Sequence, residues 1–346
     1  MDRAHREAFV AGVFLTVAAI FVVAGGANTA AQTQTGQKST RHLTTPYQGR
    51  SRGPEQTDRV SRKIKLSRNG SVSVSNISGE ITVTGGSGDE VSIEAVKRSH
   101  GDRGQLDDVR IDINEAPSRV DVRTDYAGRN NQVSVDYTLT VPSSASVELH
   151  SVSGDVKVTG VQGVVRVEAV SGNITASGTP RLERAKSVSG DVVLTDAGGG
   201  EGDIAIGSIS GTLRVKGLKA RGVDVSSVSG DVTLTGASCE RLDGKSVSGT
   251  LEYEGTLARS GRYNLNSHSG DVRLILSNPS GFELDASTFS GSINTDVPVT
   301  IGGDTERNRD ERRHGMHGHR VQGTFGDGSA VITVRTFSGD ISVRKR

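Results

Sequence analysis

From Ile64 onward, apolar and polar residues alternate along most of the chain. The period is two in segments such as VSIEAV, RVDVRT and QVSVDYTLTVP, and it returns in VRVEA at residues 165–169. Successive side chains of a β-strand point to opposite faces of its sheet. The alternation therefore predicts a series of strands, each with one buried and one exposed face.

A short phrase, Ser-Gly followed by a small or acidic residue and then an apolar one, recurs ten times. From Ser153 to Ser290 the successive spacings are 18, 18, 21, 19, 19, 21 and 21 residues. Such a nearly constant spacing indicates a repeat architecture, with two short strands and two glycine corners in each repeat. The serines of the phrase, called motif serines below, are Ser78, Ser153, Ser171, Ser189, Ser210, Ser229, Ser248, Ser269, Ser290 and Ser338.

The repeat fits two architectures. In a β-solenoid each repeat is one coil, and equivalent residues stack about 4.8 Å apart as parallel strands. In a meander each repeat is one hairpin, but the two-residue Asn-Gly or Asp-Gly turns typical of serial hairpins are missing from most junctions. The strict recurrence of residue identity favours the solenoid. We predict an all-β fold, a single-stranded β-solenoid (β-helix-like) of about 18–21 residue coils with a less regular N-terminal β segment.

Two columns of equivalent residues follow from stacked coils. The residue before the motif serine is apolar in nine of the ten repeats, and we predict that these residues form a column in the core. The exception is His268, which we predict to be a hydrogen-bonded core histidine. The motif serines beside the column are predicted to form a hydroxyl ladder. The residue after Ser-Gly alternates between acidic and neutral from Asp155 to Ser292. We interpret this alternation as charge spacing, because carboxylates on every coil would repel each other.

The N-terminus has a different character from the repeats. Arg3 and Arg6 precede an uncharged apolar run at residues 8–27, which small residues follow. Residues 1–31 are therefore predicted to be a signal peptide or an N-terminal membrane anchor, and the length of the run leaves both open. In either case the rest of the chain is exported. Residues 32–60 have almost no apolar residue, which predicts a disordered linker.

The remaining chain divides into two parts. Residues 61–150 carry strand patterns without the regular spacing, and we expect them to cap the open end of the stack. Residues 151–346 form the repeat array. A charged, glycine-rich segment at 302–323 is predicted to be an exposed loop insertion, and residues 331–346 are predicted to close the array as its last coil.

Composition and charge narrow the function classes. The 41 Lys and Arg residues balance 40 Asp and Glu residues, which argues against a nucleic-acid binder. Cys239 is the only cysteine, so no intrachain disulfide forms, and we expect it to be a small buried or half-buried apolar residue. Aromatic residues make up 3% of the chain and there is no Trp, which predicts a thin core of small aliphatic residues.

No residue is assigned a catalytic, cofactor-binding or metal-binding role. A catalytic Ser-Asp pair is unique in an enzyme, whereas here Ser-Gly recurs at ten corners and Asp follows it at about half of them, so we interpret the phrase as structural. Calcium-binding β-coils need a nine-residue Gly-Gly-x-Gly-x-Asp repeat, which is absent. His314, His317 and His319 lie close together and fit a soft divalent metal. The glycine-rich segment around them offers no fourth ligand, so we interpret them as solvated and predict no cofactor.

The phrases described above resemble a known family, the bacterial β-strand-repeat proteins known as "putative adhesins", whose function is otherwise unknown. The resemblance covers about residues 60–346. It rests on SVSGDV at 151–156, 187–192 and 227–232, on YTLTVP at 137–142, and on GDG at 326–328 with TFSGDI at 336–341. The family implies an exported β-solenoid-like domain at the cell envelope, and it has no established catalytic residues to transfer.

These observations predict an exported cell-envelope protein, periplasmic or at the cell surface, that acts as a non-enzymatic binding or structural module. Its expected partner is a cell-surface or envelope component, protein or glycan, with the membrane reached only through the N-terminal segment. One alternative is an envelope-stress accessory protein tethered to the membrane. A second is a β-helix polysaccharide-degrading enzyme, which the scarcity of aromatic platforms for sugar rings disfavours.

Overall fold

A computed structural model describes residues 55–101, 103–127, 132–298, 300 and 318–346. The predicted signal peptide or anchor, most of the predicted linker and most of the insertion at 302–323 lie outside these residues. Within the described ranges, no helix combines the length and the hydrophobicity needed to traverse a bilayer.

The described residues are almost entirely strands, as the alternation predicts. The segment before the regular array contains β1 (Gln56–Lys65), β2 (Ser71–Ser78), β3 (Ile81–Gly86), β4 (Glu90–Ser99), the short helix α1 (Gly104–Asp107), β5 (Val109–Ala116), β6 (Arg119–Tyr126) and β7 (Val133–Pro142).

The regular array follows, with strands that repeat in pairs. They are β8 (Ser146–Ser153), β9 (Val156–Thr159), β10 (Val165–Ser171), β11 (Ile174–Thr179), β12 (Leu182–Ser189), β13 (Val192–Ala197), β14 (Asp203–Ser210), β15 (Leu213–Lys216), β16 (Lys219–Ser229), β17 (Val232–Ser248), β18 (Leu251–Ser269) and β19 (Val272–Leu276). The C-terminal strands are β20 (Gly281–Ser290), β21 (Ile293–Thr295), β22 (His319–Gly326), β23 (Ala330–Ser338) and β24 (Ile341–Lys345).

Each coil contributes one strand to each of two parallel faces. Strands that end at a motif serine form the first face, where β10 pairs in parallel with β8 and β12. Strands that begin after the Ser-Gly corner form the second face, where β11 pairs in parallel with β9 and β13. The long strands β17 and β18 pass from the second face of one coil to the first face of the next. The predicted β-solenoid is therefore confirmed.

The core is thin and aliphatic, as the composition predicts. Alternate residues of each strand, such as Val165, Val167 and Ala169 of β10, are buried in one continuous hydrophobic cluster. Tyr253 and Tyr263 are among the few large aromatic side chains inside it, and their hydroxyls donate to backbone carbonyls. A buried hydroxyl needs such a partner to offset the loss of water.

The N-terminal segment extends both faces beyond the first coil. Strands β2 and β3 form that coil, and β8 and β9 stack directly on it. On its other side lie β6 on the first face and β7 on the second. Antiparallel strands then complete the two faces, with β5 beside β6, β4 beside β7 and β1 beside β4. This arrangement covers the end of the stack and agrees with the less regular N-terminal β segment.

Strand β1 begins at Gln56, inside the segment that the sequence predicts as linker. Only Ile64 of this strand is buried, so its sequence carries no alternation over residues 56–63. Strand β1 forms because its whole length pairs with β4, from Gln56 opposite Ser99 to Lys65 opposite Glu90. The predicted boundary at residue 60 is corrected by this long-range pairing, which local composition does not reveal.

The last coil of the sequence is not the last coil of the stack. Strand β23 pairs with β18 on one side and β20 on the other, and β24 lies between β19 and β21. Residues 330–345 therefore insert between two coils that precede them in the chain. Antiparallel β22 then covers the exposed side of β20. The prediction that residues 331–346 close the array is wrong, because the coil formed by β20 and β21 stands at the end.

Candidate functional site

The Ser-Gly corner is shaped by direct stacking of one glycine on the next. Gly172 and Gly190 have φ values of +154° and +150°, a region that residues with a Cβ rarely adopt. The N–H of Gly172 donates to the carbonyl of Ser189 over 3.0 Å. A Cβ on Gly190 would overlap the carbonyl oxygen of Gly172. The repeated glycine is therefore required by the approach of successive backbones, which agrees with a structural corner.

Where the residue after Ser-Gly is Asp or Asn, its side chain accepts a hydrogen bond from the next coil. Oδ1 of Asp155 accepts from the N–H of Asn173 over 2.8 Å, and Oδ1 of Asn173 accepts from the N–H of Asp191 over 2.9 Å. Asp191 in turn accepts from the N–H of Thr212 over 2.8 Å. Asparagine performs this role as well as aspartate does, so the side chain is selected as an acceptor as well as for its charge.

The alternation of acidic and neutral residues does not extend through the whole stack. Asp340 lies between Asp271 and Ser292, because its coil inserts there. The N–H of Asp340 donates to Oδ1 of Asp271 over 3.1 Å, so two carboxylates occupy neighbouring coils. Acidic residues therefore occupy alternate coils from Asp155 to Asp271, but Asp271 and Asp340 occupy adjacent coils.

A ladder of buried hydroxyls lies two residues before the motif serine. Ser187 donates to the carbonyl of Gly172 over 3.1 Å, and Ser208 donates to that of Gly190 over 3.1 Å. Most coils place a hydroxyl or an amide at this position. The buried side chains are Asn76, Ser151, Ser187, Ser208, Ser227, Ser246, Ser267, Thr288 and Thr336. The prediction that the motif serines form a hydroxyl ladder is therefore wrong, because the ladder lies two residues earlier. In the recurring Ser-Val-Ser phrase it is formed by the first serine and not by the second.

The apolar residues before the motif serines lie on the outer surface, so the predicted core column is wrong. Six of these ten side chains are between 39% and 51% exposed. The parity of the strand explains this, because Val147 and Leu149 are buried and Ser151 continues their side of the strand. We call this set the apolar stripe. In spatial order it comprises Ile77, Val152, Val170, Val188, Ile209, Val228, Val247, His268, Phe337 and Phe289.

Three aromatic rings form one end of the apolar stripe. The rings of His268 and Phe337 are 5.2 Å apart with an interplanar angle of 6°, and those of Phe337 and Phe289 are 5.0 Å apart at 5°. His268 is exposed, which corrects the prediction of a core histidine. Both faces of Phe337 are covered by its neighbours, so the stack presents ring edges to solvent. An apolar partner fits these edges better than a sugar ring, which needs a free aromatic face.

Other candidate residues are placed elsewhere. His319 is exposed at the start of β22, and His314 and His317 lie outside the described residues. Within the described ranges, no three histidine, cysteine or acidic side chains are grouped as a metal site requires. Cys239 is buried, as predicted, and burial raises the pKa of its thiol to about 12. This thiol is therefore unreactive at neutral pH.

A groove of about 850 Å³ lies at the second corner of the coils. Glu201, Lys219 and Arg221 line it together with several glycines, and Asp196 occupies a left-handed backbone position there with a φ of +50°. Charges of both signs line the groove, and Cys239 at its wall carries the unreactive thiol described above. The side chains that line the groove do not indicate a particular reaction.

A charged cluster on the first face contains the most perturbed carboxylate outside the core. Nδ1 of His150 lies 3.5 Å from Oε2 of Glu168, and Nη1 of Arg184 donates to Oε1 of Glu168 over 2.8 Å. Hydrogen bonding to His150 and then to Arg184 lowers the pKa of Glu168 to about 2, although burial opposes this shift. The same carboxylate raises the pKa of His150.

This cluster predicts a pH dependence of stability. The His150 contribution is present below its unfolded pKa of about 6.5 and is lost as the pH rises through the raised folded value. The Glu168 contribution is present above about 4.3 and is lost as the pH falls toward 2. We expect Glu168→Gln to remove about 1 kcal/mol or less at pH 5.5 and still less at pH 8.5, as these groups are partly solvated.

Chemical denaturation at the two pH values measures this difference. Glu183→Gln is the matched control, because Glu183 lies on the same face and pairs with Arg166 rather than His150. An equal loss of stability from Glu168→Gln at pH 5.5 and pH 8.5 would contradict the role of His150.

One family model and two solved structures are similar to this chain. The model of the family described as Toastrack DUF4097 matches residues 183–344. A putative adhesin from Bacteroides fragilis NCTC 9343 is 14% identical, with 82% of this chain and 96% of that chain covered and a TM-score of 0.40. A putative cell adhesion protein from Clostridium sporogenes ATCC 15579 is 8% identical, with 84% and 100% covered and a TM-score of 0.22.

Both structural similarities are weak, with TM-scores below 0.5. No curated protein matches the chain. The family match falls on the repeats whose corners and faces are described above, and the resemblance predicted from their SVSGDV phrases is confirmed. Over residues 183–344 the chain is similar to the family described as Toastrack DUF4097.

Proposed function

We propose that this protein is exported and acts in the cell envelope as a non-enzymatic binding or structural module. The apolar stripe is the observation that carries the proposal. Ten equivalent side chains run along the stack at a spacing of about 4.8 Å, so the stripe is roughly 40 Å long. A contiguous apolar surface of this length is typical of an interaction site rather than of an isolated soluble surface.

The rest of the repeat is accounted for by the scaffold. The glycines make the corner, the acidic and amide side chains bind the next coil, and most of the buried hydroxyls bind glycine carbonyls. None of these roles requires an apolar side chain on the outer surface. The recurrence of Val, Ile and Phe in the stripe therefore favours a second requirement, which is contact with a partner.

Export is proposed from the sequence at residues 1–31 and from the family resemblance. A non-enzymatic role is supported by the repetition of the Asp and Ser side chains. The aspartates make the same backbone contact in alternate coils, and buried serines make theirs in several coils. The stacked aromatic rings also fit poorly with a polysaccharide-degrading enzyme, because both faces of the central ring, Phe337, are covered by its neighbours.

Envelope retention of the full chain tests this proposal. We expect Val152→Ser combined with Val247→Ser to lower retention in the envelope fraction about tenfold after release from any N-terminal anchor. Each valine is about half exposed, so the two together bury about one valine side chain against a partner, which contributes roughly 1.5 kcal/mol. Val331→Ser is the matched control, because Val331 is also an exposed valine, at 42%, but lies outside the stripe.

Two results would overturn the proposal. One is recovery of the wild-type chain from the cytoplasm with its N-terminus unprocessed and not membrane-bound. The other is turnover of a polysaccharide by the purified full chain. Sequencing the N-terminus of the mature protein distinguishes a cleaved signal peptide from a retained anchor.

A further inference from the structure

We infer that the apolar stripe is occupied by the stripe of a second copy of this chain, in a two-fold dimer whose axis runs along the stack. The two solenoids then point in the same direction, and each coil faces the equivalent coil of its partner. This inference rests on the proposed function, since it names the partner of the same surface. It is carried by the extent of the stripe and by the charges on either side of it.

The exposed area is sufficient for such a dimer. Six stripe side chains expose about half of their surface, from Ile77 and Val152 at one end to Phe337 and Phe289 at the other. Together the ten residues present on the order of 600 Å² per copy, so two copies bury roughly 1,200 Å², the lower limit of stable interfaces. The partly covered side chains between them make the stripe continuous.

Two columns of residues flank the stripe. The leading column lies two residues before each stripe residue and faces outward on the same strand, and it contains Lys186 and Arg335. The trailing column lies three residues after each stripe residue, beyond the glycine corner, and it contains Asp191 and Asp340. The leading column also contains Lys245, and Glu168 is its one acidic member. Basic side chains therefore predominate on one side of the stripe, and acidic side chains flank the other.

A two-fold axis along the stripe places the leading column of one copy opposite the trailing column of its partner at the same coil. Lys186 then faces Asp191 of the second copy, and Arg335 faces Asp340 of the second copy. Each pair forms twice by symmetry. Complementary charges at the rim of an apolar interface favour one orientation over others and raise the association rate.

An antiparallel dimer has the opposite electrostatics. Reversal of the stack places each column opposite itself, with the second coil facing the ninth and the fourth facing the seventh. Asp155 would then face Asp340, and Lys186 would face Lys245. Like charges placed opposite each other across an interface are unfavourable. The charge pattern therefore selects the parallel arrangement.

Cysteine cross-linking of the full chain tests the arrangement directly. In the parallel dimer a stripe residue faces its own equivalent, so Val188→Cys and Val247→Cys are each expected to form disulfide-linked dimers under mild oxidation. The wild-type chain is the background, because its one thiol, Cys239, is buried. Thr175→Cys, at an exposed position of the second face, is the matched control and is expected to stay monomeric.

The rim charges supply a second readout. We expect Lys186→Glu to lower the cross-linking of Val247→Cys about tenfold, because it faces Asp191 of the second copy. Adding Asp191→Asn is expected to restore most of the yield. This change keeps the acceptor for the N–H of Thr212, as Asn173 does for Asp191. Lys216→Glu, on the second face, is expected to have no effect.

Each outcome supports or overturns the inference. Self-cross-linking of both stripe variants supports it. Dimers only in a mixture of Val188→Cys and Val247→Cys chains overturn the parallel arrangement, and no cross-linked dimer at either position overturns the second copy as occupant. Stripe substitutions that abolish envelope retention without any cross-link would leave the proposed function intact and identify another partner. Thermal melts confirm that each variant is folded.

Discussion

Gly190→Ala is expected to lower the free energy of unfolding by about 3–5 kcal/mol, a large effect for one methyl group. Gly190 has a φ of +150°, and a Cβ there would overlap the carbonyl oxygen of Gly172 on the preceding coil. The Gly172 carbonyl also accepts a hydrogen bond from the buried hydroxyl of Ser187. Neither coil can shift without breaking backbone hydrogen bonds between the stacked strands of both faces. The structure therefore cannot relieve the clash without losing other interactions.

Denaturant unfolding of the full chain measures this loss. Gly88→Ala is the matched control, because a Cβ on Gly88 approaches only the N–H of Glu90, at 3.8 Å. We expect the control to change stability by about 0.5 kcal/mol or less. A similarly small effect of Gly190→Ala would show that the corner tolerates a side chain and that its glycine has another purpose.

Removal of residues 329–346 is expected to unfold a coil that precedes them in the chain. Strands β23 and β24 lie between β18 and β20 on the first face and between β19 and β21 on the second. Without them, β20 keeps only its antiparallel partner β22, and an isolated two-stranded ribbon is marginal in water. The backbone amides of residues 281–295 should then lose their protection against hydrogen exchange.

Hydrogen exchange of the full and truncated chains distinguishes this order from sequential stacking. If coils stacked in chain order, truncation would leave residues 281–295 protected, because their neighbour would be β18 and β19. Removal of residues 344–346 alone is the control, since β24 keeps Ile341 and Val343 in the core. We expect that control to retain protection throughout residues 281–295.

The apolar stripe shows that alternation along a strand predicts burial better than the hydrophobicity of a single residue does. Val152 is more hydrophobic than Ser151, which suggests that the valine is inside. However, Val147 and Leu149 are buried, and a strict period of two carries Ser151 inward and Val152 outward. The hydroxyl of Ser151 is accommodated because it donates to the carbonyl of Gly154. Parity alone would have placed both residues correctly.

The stacking order of the coils could not be predicted from local sequence patterns. The phrase at Ser338 is equivalent to the phrase at Ser290, so the repeat pattern does not distinguish which of the two coils stacks on the coil that ends at Ser269. The structure places Ser338 beside both Ser269 and Ser290. Strand β1 is a similar case, because its pairing with β4 is invisible in its own residues.

Most of the strands, their spacing, the glycine corners and the solenoid follow from the amino-acid sequence alone. These depend on short-range alternation and on a repeat that only stacking of equivalent residues explains. The tertiary structure decided which side of the corner is buried, where the last coil inserts and which strands cap the ends. Those features depend on contacts between residues far apart in the chain, and equivalent repeats offer several nearly equal partners. The apolar stripe emerges only when those contacts place ten separate side chains in one line on the surface.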